Sequence, residues 1–176
     1  DAVKSDVFEP NAFTLATVGE DGKPDARIVL LKEYSGKGFV FYTNYKSKKG
    51  QDLSSTPFAT MCFYWDGLAR QVRIAGKVKK LSRKESEAYF NSRPEESKLS
   101  AVVSWQSREI PNKEYLKKKK DQLRKKAETI QCPDYWGGFL IVPEAFEYWQ
   151  GRPSRLHDRL VYEKKGKAWQ IKRLAP

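Results

Sequence analysis

The only histidine of the chain, His157, lies in the segment WQGRPSRLHDR, which runs from Trp149 to Arg159. If this segment is an extended strand, the side chains of Arg155, His157 and Arg159 share one face. Two guanidiniums beside an imidazole are costly to bury without an anion. The face therefore either lines a site for a phosphate or an electron-rich ring, or it is an ordinary charged surface. Trp149 and Gly151 favour the binding site, because they offer a stacking surface and a close backbone approach.

Other catalytic classes have less support in the sequence. A hydrolase triad would need His157 as its base, and the adjacent Asp158 would point away from it in a strand. The two cysteines, Cys62 and Cys132, are far apart and outside any C-x-x-C motif, which argues against a disulfide framework and against a zinc site. We expect both to be reduced packing residues and expect no metal.

A second group with phosphate-binding chemistry lies on a predicted helix. Ser82 and Glu85 form a capping box that starts this helix, and Pro94 ends it. Tyr89 and Arg93 are four residues apart on one face, and a second short helix is predicted to start near Ser97, where its N-terminus would add backbone donors. A phenol, a guanidinium and a hydroxyl can together hold a phosphate. A surface pair on a helix is the alternative.

Three weaker signals come from basic and amide side chains in the first half of the chain. Arg27 and Lys32 bracket an apolar run and would meet opposite faces of a strand unless a bulge intervenes. Lys48 and Lys49 stand at a predicted helix start, where a phosphate would be favoured, although both can equally be solvated. Gln71 could offer a donor and an acceptor to a heterocycle, or be a surface glutamine.

The elements that must position these residues are mostly strands. Short alternating segments separated by turns predict strands over 13–18, 25–34, 38–44, 58–65, 70–81, 137–142, 146–151, 157–164 and 168–174. Ser47 is predicted to cap a helix that runs through Leu53 and stops at Pro57. Consecutive strands without regular βαβ alternation predict a mainly β fold, an antiparallel barrel with helices packed outside.

The chain length and the net charge limit which classes of function are plausible. The 176 residues fit one domain, no apolar run is long enough for a membrane helix, and the first residues lack signal-peptide features, so we expect a cytoplasmic protein. The net charge of +12 favours anionic ligands. Much of it lies in a predicted helix over 113–128, capped by Asn112. Nucleic-acid binding there is a rival hypothesis, weakened by the lack of interleaved aromatic residues.

Several blocks, in order along nearly the whole chain, resemble pyridoxine (pyridoxamine) 5′-phosphate oxidase. They are RIVLLK, FYTNYKSKKG, FYWDGLARQVRIAG, EAYFNSRPEESK, VVSWQS, YWGG, WQGRPSRLHDR and the terminal RLAP. The resemblance implies a single split-barrel domain over 1–176, completed by residues 136–176. It also implies a homodimer that binds FMN at the subunit interface, with residues of both chains in each site.

The resemblance also implies roles for individual residues. Those expected to contact FMN are Arg27, Ile28, Val29, Leu30, Lys32, Tyr42, Thr43, Lys48, Lys49, Gln71, Gln106, Ser107, Trp149 and Arg159. Those expected to bind substrate are Lys32, Tyr89, Arg93, Ser97, Arg155, Leu156 and His157, of which Arg155 and His157 are the catalytic candidates. The implied reaction oxidises pyridoxine or pyridoxamine 5′-phosphate with oxygen and yields pyridoxal 5′-phosphate and hydrogen peroxide.

The sequence departs from the family pattern at a few places. Lys48 stands where the family usually has arginine, which replaces a fork of donors with a point charge. Trp105 occupies a position that is commonly polar or basic, and Glu9 one where relatives place an aspartate near the site. The family's N-terminal arm, which lies over the substrate, has no counterpart before Asp1. Two rival functions are a split-barrel flavoprotein that oxidises a phenazine precursor and a flavin- or nucleic-acid-binding protein without turnover.

Overall fold

Antiparallel strands dominate the computed structural model, which describes residues 1–125 and 129–176. Its strands are β1 (Ala12–Val18), β2 (Pro24–Leu30), β3 (Glu33–Ser35), β4 (Gly38–Asn44), β5 (Phe58–Trp65), β6 (Arg70–Lys80), β7 (Trp136–Gln150), β8 (Asp158–Lys165) and β9 (Ala168–Leu174). Its helices are α1 (Lys48–Ser55), α2 (Arg83–Ser92), α3 (Glu95–Val103) and α4 (Lys113–Lys125). Single 3₁₀ turns cover Ala2–Lys4, Asp66–Leu68 and Pro153–Arg155. The rest of the predicted basic helix, residues 126–128, lies outside the described residues.

The strands form one curled antiparallel sheet in the order β2-β1-β5-β6-β7-β4-β3, and β8 and β9 extend it from β7. The long strand β7 is the centre of this arrangement. Along one edge it pairs with β6; along the other, its first half pairs with β4 and its second half with β8. Residues at the two ends of β7 therefore lie at different places on the sheet. The predicted mainly β split barrel with outer helices is confirmed.

Alternation of apolar residues explains the curl and the core. Side chains from β1, β4, β5 and β7, among them Phe13, Leu15, Phe41, Met61 and Ile141, have at most 1% of their surface exposed. A smaller cluster of Phe90, Cys132 and Trp136 packs α2 against the start of β7, and partly buried α3 residues pack against it. Both clusters remove apolar surface from water, which is the main stabilising contribution to such a fold.

The predicted helix starts are confirmed by their caps. The Ser47 hydroxyl accepts from the Gly50 N–H at 3.3 Å, and Ser82 with Glu85 forms the capping box of α2. The Asn112 side chain accepts from the Tyr115 N–H at 2.9 Å at the start of α4. Each cap satisfies a backbone donor that would otherwise lack a partner in the first helical turn.

Three strand predictions were wrong in their boundaries. The strand predicted over 25–34 breaks into β2 and β3, and the two strands predicted over 137–142 and 146–151 are parts of the single strand β7. Pro143 is tolerated within β7 because it pairs with Gly76 where the register with β6 shifts. A Cβ on Gly76 would lie 2.0 Å from the Val142 carbonyl oxygen, so this close approach requires glycine.

Candidate active site

A cluster of basic side chains surrounds one buried carboxylate where β1, β2 and α1 meet. The Arg27 guanidinium donates to the Thr17 hydroxyl at 2.6 Å, and that hydroxyl donates to Asp52 at 2.7 Å. Lys48 Nζ lies 2.5 Å from the other Asp52 oxygen. Burial by itself raises the pKa of the Asp52 carboxyl, but hydrogen bonds from Lys48 and Thr17 and the charges of Lys48 and Arg27 lower it below its usual value. Asp52 therefore stays ionised and holds both cations in place.

Lys49 adds a third cation, which points away from solvent. Its ammonium group donates to Gln106 Oε1 at 3.3 Å, and the Thr43 hydroxyl donates to the same oxygen at 3.1 Å. Burial, and then the charge of Arg27, lower the pKa of Lys49 below its ordinary value. Gly50 allows α1 to pack this closely, since a Cβ there would lie 2.3 Å from the Tyr45 carbonyl oxygen. We call Arg27, Lys48, Lys49 and Asp52 the cation cluster.

The cation cluster fits an anionic group such as a phosphate. A desolvated ammonium with one neutral hydrogen-bond partner is stabilised by a nearby anion, and Lys49 has this environment. The expected FMN residues Arg27, Thr43, Lys48, Lys49 and Gln106 are therefore brought to one region. Ser107, next to Gln106, is exposed and has a left-handed backbone with φ of 67°.

An aromatic stack lies beside this region and joins β4, α2 and β7. The rings of Tyr42 and Tyr89 stack at a centroid distance of 3.8 Å, and Tyr42 lies 5.4 Å from Trp136 in a nearly parallel plane. The Tyr42 hydroxyl donates to Glu33 at 3.1 Å, and burial together with the Glu33 charge raises the pKa of Tyr42. The phenol is therefore protonated at neutral pH. We call these three rings the aromatic stack.

Arg93 follows α2 and lies over the Trp136 ring, with 4.8 Å between its guanidinium carbon and the ring centroid. Its Nη1 atom is buried and has no hydrogen-bond partner among the described residues. A buried guanidinium donor without a partner is costly, which makes this atom a candidate contact for an anionic ligand. The predicted pair of Tyr89 and Arg93 is thus brought together at the aromatic stack.

The backbone N–H of Ser97 is less available to a ligand than the sequence predicts. Helix α3 begins at Glu95, and the Ser97 and Lys98 N–H groups both donate to the Pro94 carbonyl oxygen, at 2.9 and 3.1 Å. The helix start predicted near Ser97 is confirmed at Glu95, but the Ser97 N–H is already used within the chain. Its hydroxyl remains the candidate group.

A cavity of about 920 Å³ opens at the other end of β7. Its lining is largely apolar and aromatic, and it includes Lys32, Gln71 and Trp149. Gln71 and Trp149 are direct neighbours across β6 and β7. The Arg27–Lys32 run is therefore divided: Arg27 joins the cation cluster and Lys32 lines this cavity. Between them, Val29 packs against the core, Leu30 is half-buried and Ile28 is exposed.

The segment before β8 is a turn, and the prediction that Arg155, His157 and Arg159 share one strand face was wrong. Residues Pro153–Arg155 form a 3₁₀ turn in which Ser154 and Arg155 have φ of 57° and 61°, and β8 starts only at Asp158. Pro153 lacks an N–H and cannot extend a ladder, which favours the turn. Arg155 and Leu156 are exposed. We call residues 151–157 the His157 turn.

Contacts within the His157 turn orient the imidazole. The Arg152 N–H donates to His157 Nδ1 at 3.1 Å, so the neutral ring carries its proton on Nε2. The rings of His157 and Trp149 have centroids 4.7 Å apart. Asp158 accepts from Arg152 at 2.8 Å and from Arg173 at 2.7 Å, which ties the turn to the end of β9. This arrangement presents an N–H donor next to the Trp149 face.

Arg159 lies beside the turn and is held by a carboxylate of β7. It is paired with Trp149 in the ladder between β7 and β8, and its Nε donates to Glu147 at 2.9 Å. Glu147 also accepts from Arg73 at 3.1 Å. The guanidinium is thus positioned next to the Gln71 and Trp149 pair.

The two groups of candidate residues lie at opposite ends of β7. Thr43 pairs with Gly137, and Gln71 pairs with Trp149. Twelve residues separate Gly137 from Trp149, which corresponds to about 40 Å along a strand. We call the first group the Trp136 end and the second the Trp149 end.

Comparison with known proteins identifies the family. The model described as "Pyridoxamine 5′-phosphate oxidase" matches residues 1–127, and the one described as "Pyridoxine 5′-phosphate oxidase C-terminal dimerisation region" matches residues 136–176. The chain belongs to the pyridoxamine 5′-phosphate oxidase family, and it is an oxidoreductase. The predicted resemblance is therefore confirmed, and the dimerisation region contains Trp149, His157 and Arg159 of the Trp149 end.

Individual relatives agree with this family. The chain is 54% identical to the pyridoxine/pyridoxamine 5′-phosphate oxidase of Gloeothece citriformis, covering 99% of this chain and 83% of that protein. It is 50% identical to pyridoxine-5′-phosphate oxidase of Bos taurus, over 90% of this chain and 62% of that protein. The structure of PhzG from Burkholderia lata, in complex with tetrahydrophenazine-1-carboxylic acid, is similar with a TM-score of 0.92 and 29% identity, covering 97% of this chain and 84% of that one.

Four residues of this family member were missed by sequence reasoning. They support the expected residues and do not themselves belong to that set: Thr17, Asp52, Trp136 and Glu147. A threonine in a strand, a carboxylate in a short helix and a tryptophan at a strand start are ordinary, so no local signal marks Thr17, Asp52 or Trp136. Glu147 alternates with Trp149 on one face of β7, which is the one signal that was present.

Among the helices that the structure describes, none has the length and apolar character required to cross a lipid bilayer. The cytoplasmic location stays a prediction.

Proposed function

We propose that this family member binds FMN and oxidises pyridoxine or pyridoxamine 5′-phosphate with oxygen, giving pyridoxal 5′-phosphate and hydrogen peroxide. The observation that carries the proposal is the presence of two separate cationic sites, the cation cluster and Arg93 with its unpartnered donor. A flavin mononucleotide and a phosphorylated substrate each need such a site. The names of the relatives, with 54% and 50% identity, support the same substrate class.

The Trp136 end would hold the FMN phosphate and the substrate phosphate. Arg27 and Lys49 suit the FMN phosphate, since they are cations at short range from each other in a largely buried region. Lys48, Thr43, Gln106 and Ser107 would complete that site. Tyr89, Arg93 and Ser97 would hold the substrate phosphate, with Tyr42 between the two sets.

The Trp149 end would hold the ring systems. Gln71 and Trp149 suit a flat heterocycle, because an amide offers a donor and an acceptor next to an indole face. Arg159 would contact the flavin from the same side, and Arg155, Leu156 and His157 would lie over the substrate ring. Lys32 lines the same cavity as Gln71 and Trp149.

The protein's contribution to the reaction is positioning and charge. The chemistry that bound FMN would supply is that of a hydride acceptor for the C4′ carbon of the substrate, with oxygen as the final oxidant. His157, with its Nδ1 occupied by the Arg152 N–H, presents an Nε2–H donor toward the substrate. Arg155 adds a positive charge that stabilises negative charge developing on the substrate ring or the flavin. Neither residue has to act as a strong acid or base.

The site would be shared by two chains. The Trp136 end and the Trp149 end belong to opposite ends of β7, and the region that matches the family's dimerisation model, 136–176, contains Trp149, His157 and Arg159. In a homodimer, the Trp149 end of one chain would complete the Trp136 end of the other. FMN would then lie at the interface.

A second candidate function is oxidation of a phenazine precursor, because the PhzG structure has a TM-score of 0.92. Its identity of 29% is lower than the 54% to the B6 oxidase of Gloeothece citriformis. The candidate phosphate site at Tyr89 and Arg93 has no role with a substrate that lacks a phosphate. Comparing turnover of pyridoxamine 5′-phosphate with that of a reduced phenazine carboxylate distinguishes the two.

The decisive experiment is the visible spectrum of the purified protein under anaerobic conditions. We expect a yellow protein whose flavin absorbance bleaches when pyridoxamine 5′-phosphate is added and returns with oxygen. A colourless protein that cannot be reconstituted with FMN would contradict the proposal. A yellow protein that does not bleach would be a flavin-binding protein without this activity.

A further inference from the structure

Trp136 occupies a central place at the candidate substrate-phosphate site, although it belongs to neither the expected FMN set nor the expected substrate set. It is the first residue of β7 and has 6% of its surface exposed. Phe90 packs edge-on against its ring, with centroids 5.1 Å apart. Its ring plane is nearly parallel to those of Tyr42 and Tyr89, at 12° and 2°. The Trp136 ring therefore packs against Phe90 and Arg93 and lies parallel to the two tyrosine rings.

The Arg93 guanidinium depends on this ring for its position. Its carbon lies 4.8 Å from the Trp136 centroid and 5.9 Å from the Phe90 centroid. An indole face is the strongest aromatic partner for a cation, and the attraction grows where water is excluded. Burial lowers the pKa of Arg93, so the charged form has lost water. The ring partly replaces that water on one face of the guanidinium, and Nη1 has no partner among the described residues.

We infer that Trp136 is a positioning residue for the substrate phosphate: it holds the Arg93 guanidinium against its ring face and thereby keeps Nη1 available to a phosphate oxygen. This inference rests on the proposed function, since it assumes that the anion at Arg93 belongs to the substrate. The Trp136 ring also lies parallel to that of Tyr89, with centroids 6.3 Å apart, so that the Tyr89 phenol and the guanidinium are presented together.

The test compares phosphorylated and unphosphorylated ligands in Trp136→Leu and Trp136→Phe. In Trp136→Leu, loss of the π face raises the KM for pyridoxamine 5′-phosphate and the inhibition constant of inorganic phosphate about tenfold. Trp136→Phe keeps a weaker π face and raises both by about threefold. FMN content, kcat and kcat/KM for pyridoxamine stay within about twofold of the wild-type values.

A matched control separates positioning from stability. The Tyr135 hydroxyl donates to the Val102 carbonyl oxygen of α3 at 2.7 Å. Tyr135→Phe removes this hydrogen bond without altering Arg93 or Trp136. Its melting temperature should fall while the preference for the phosphorylated ligand is unchanged. Equal losses for both ligands in Trp136→Phe, or the same loss of preference in Tyr135→Phe, would overturn the inference.

A binding measurement keeps the inference separate from the proposed function. Pyridoxal 5′-phosphate and pyridoxal are titrated into the FMN-loaded protein, and binding is followed by absorbance. If the wild type prefers the phosphorylated ligand and Trp136→Leu loses most of that preference without any oxidation being detected, the proposed activity fails while the positioning role stands. If the wild type oxidises the substrate and Trp136→Phe keeps the full preference, the positioning role fails alone.

Discussion

The two ends of β7 are built in different ways. At the Trp136 end, the buried carboxylate of Asp52 fixes Arg27 and Lys48, and the buried Lys49 ammonium donates to Gln106. At the Trp149 end, Arg155 and Leu156 are exposed on a turn with left-handed backbone angles, and a cavity of about 920 Å³ lies open beside Trp149. One end is packed by its own chain, whereas the other presents its groups outward.

This difference indicates which parts of the site one chain can form alone. A phosphate site preorganised by buried ion pairs needs no second subunit to fix its geometry. An open aromatic cavity beside a strained turn acquires its ligand contacts only when something covers it. We therefore expect the Trp136 end to decide how tightly phosphates bind, and the Trp149 end to decide how firmly the ring systems are held and how fast the dimer turns over.

The largest effect is expected when a variant at the Trp136 end is combined in one dimer with a variant at the Trp149 end. Arg93→Ala and His157→Ala should each lose most activity as homodimers. A heterodimer of the two variants, purified through a different tag on each chain, contains one site with both native residues, so it should recover about half of the wild-type activity per dimer. Oxygen uptake with pyridoxamine 5′-phosphate measures the recovery.

The control for this experiment is a heterodimer of Arg93→Ala with Tyr89→Phe. Each chain carries one change, and both changes lie at the Trp136 end. Every site would then contain one defect and no site would be native, so the recovery expected above requires the defects to lie at opposite ends. If the Arg93→Ala and His157→Ala heterodimer stays as inactive as its parents, each site is formed within one chain and the comparison is broken.

The next largest effect is expected at Lys49. Replacing this buried cation by methionine should raise the dissociation constant of FMN about a hundredfold, since removing one partner of a buried charge pair costs roughly 2–5 kcal/mol. Lys46→Met, which removes an exposed cation nearby, should leave the affinity unchanged. Quenching of FMN fluorescence measures both. An unchanged affinity in Lys49→Met would remove Lys49 from the FMN site.

Most of the fold was predictable because local rules decide it. Alternation marked the strands, and Ser47, Ser82 and Asn112 marked the helix starts. The continuity of β7 was not predictable, because Pro143 is accommodated by a register shift on the neighbouring strand, opposite Gly76. The break between β2 and β3 was not predictable either, because it depends on a change of partner: β2 pairs with β1, whereas β3 pairs with β4.

The charged residues of the candidate site could be predicted from the sequence. The residues that hold those side chains in place could not. Basic residues at a helix start and the cluster around His157 stand out by their type and spacing. Asp52 does not, because its importance arises only when α1 packs against β1 and brings Thr17 within 2.7 Å. The strand periodicity assigned to Arg155 was wrong, since Pro153 replaces the strand with a turn. Carboxylates and rings that hold a site in place can be recognised only from the tertiary contacts that they make.

A smaller effect is expected at Glu147, which tests how well the Trp149 end is held. In Glu147→Gln, the Arg159 guanidinium loses its charged partner, and the dissociation constant of FMN should rise about fivefold while kcat changes little. Glu144→Gln on the same strand removes an exposed partner of Lys77, 3.3 Å away, and should have no effect. If the two variants bind FMN equally well, Glu147 does not position Arg159 for the flavin.

The smallest effect is a pH dependence that follows from Lys49. Burial lowers the pKa of this ammonium below 10.5 in the protein without FMN, whereas a bound phosphate favours its charged form. Above the lowered pKa, binding must take up a proton, so the affinity for FMN should fall as the pH rises from neutral toward 10.5. Lys49→Arg keeps its charge throughout that range and should show no such fall. Ionisation of the flavin itself affects both proteins equally, so the ratio of their affinities isolates Lys49; a ratio that stays constant with pH would mean that the buried ammonium does not face the phosphate.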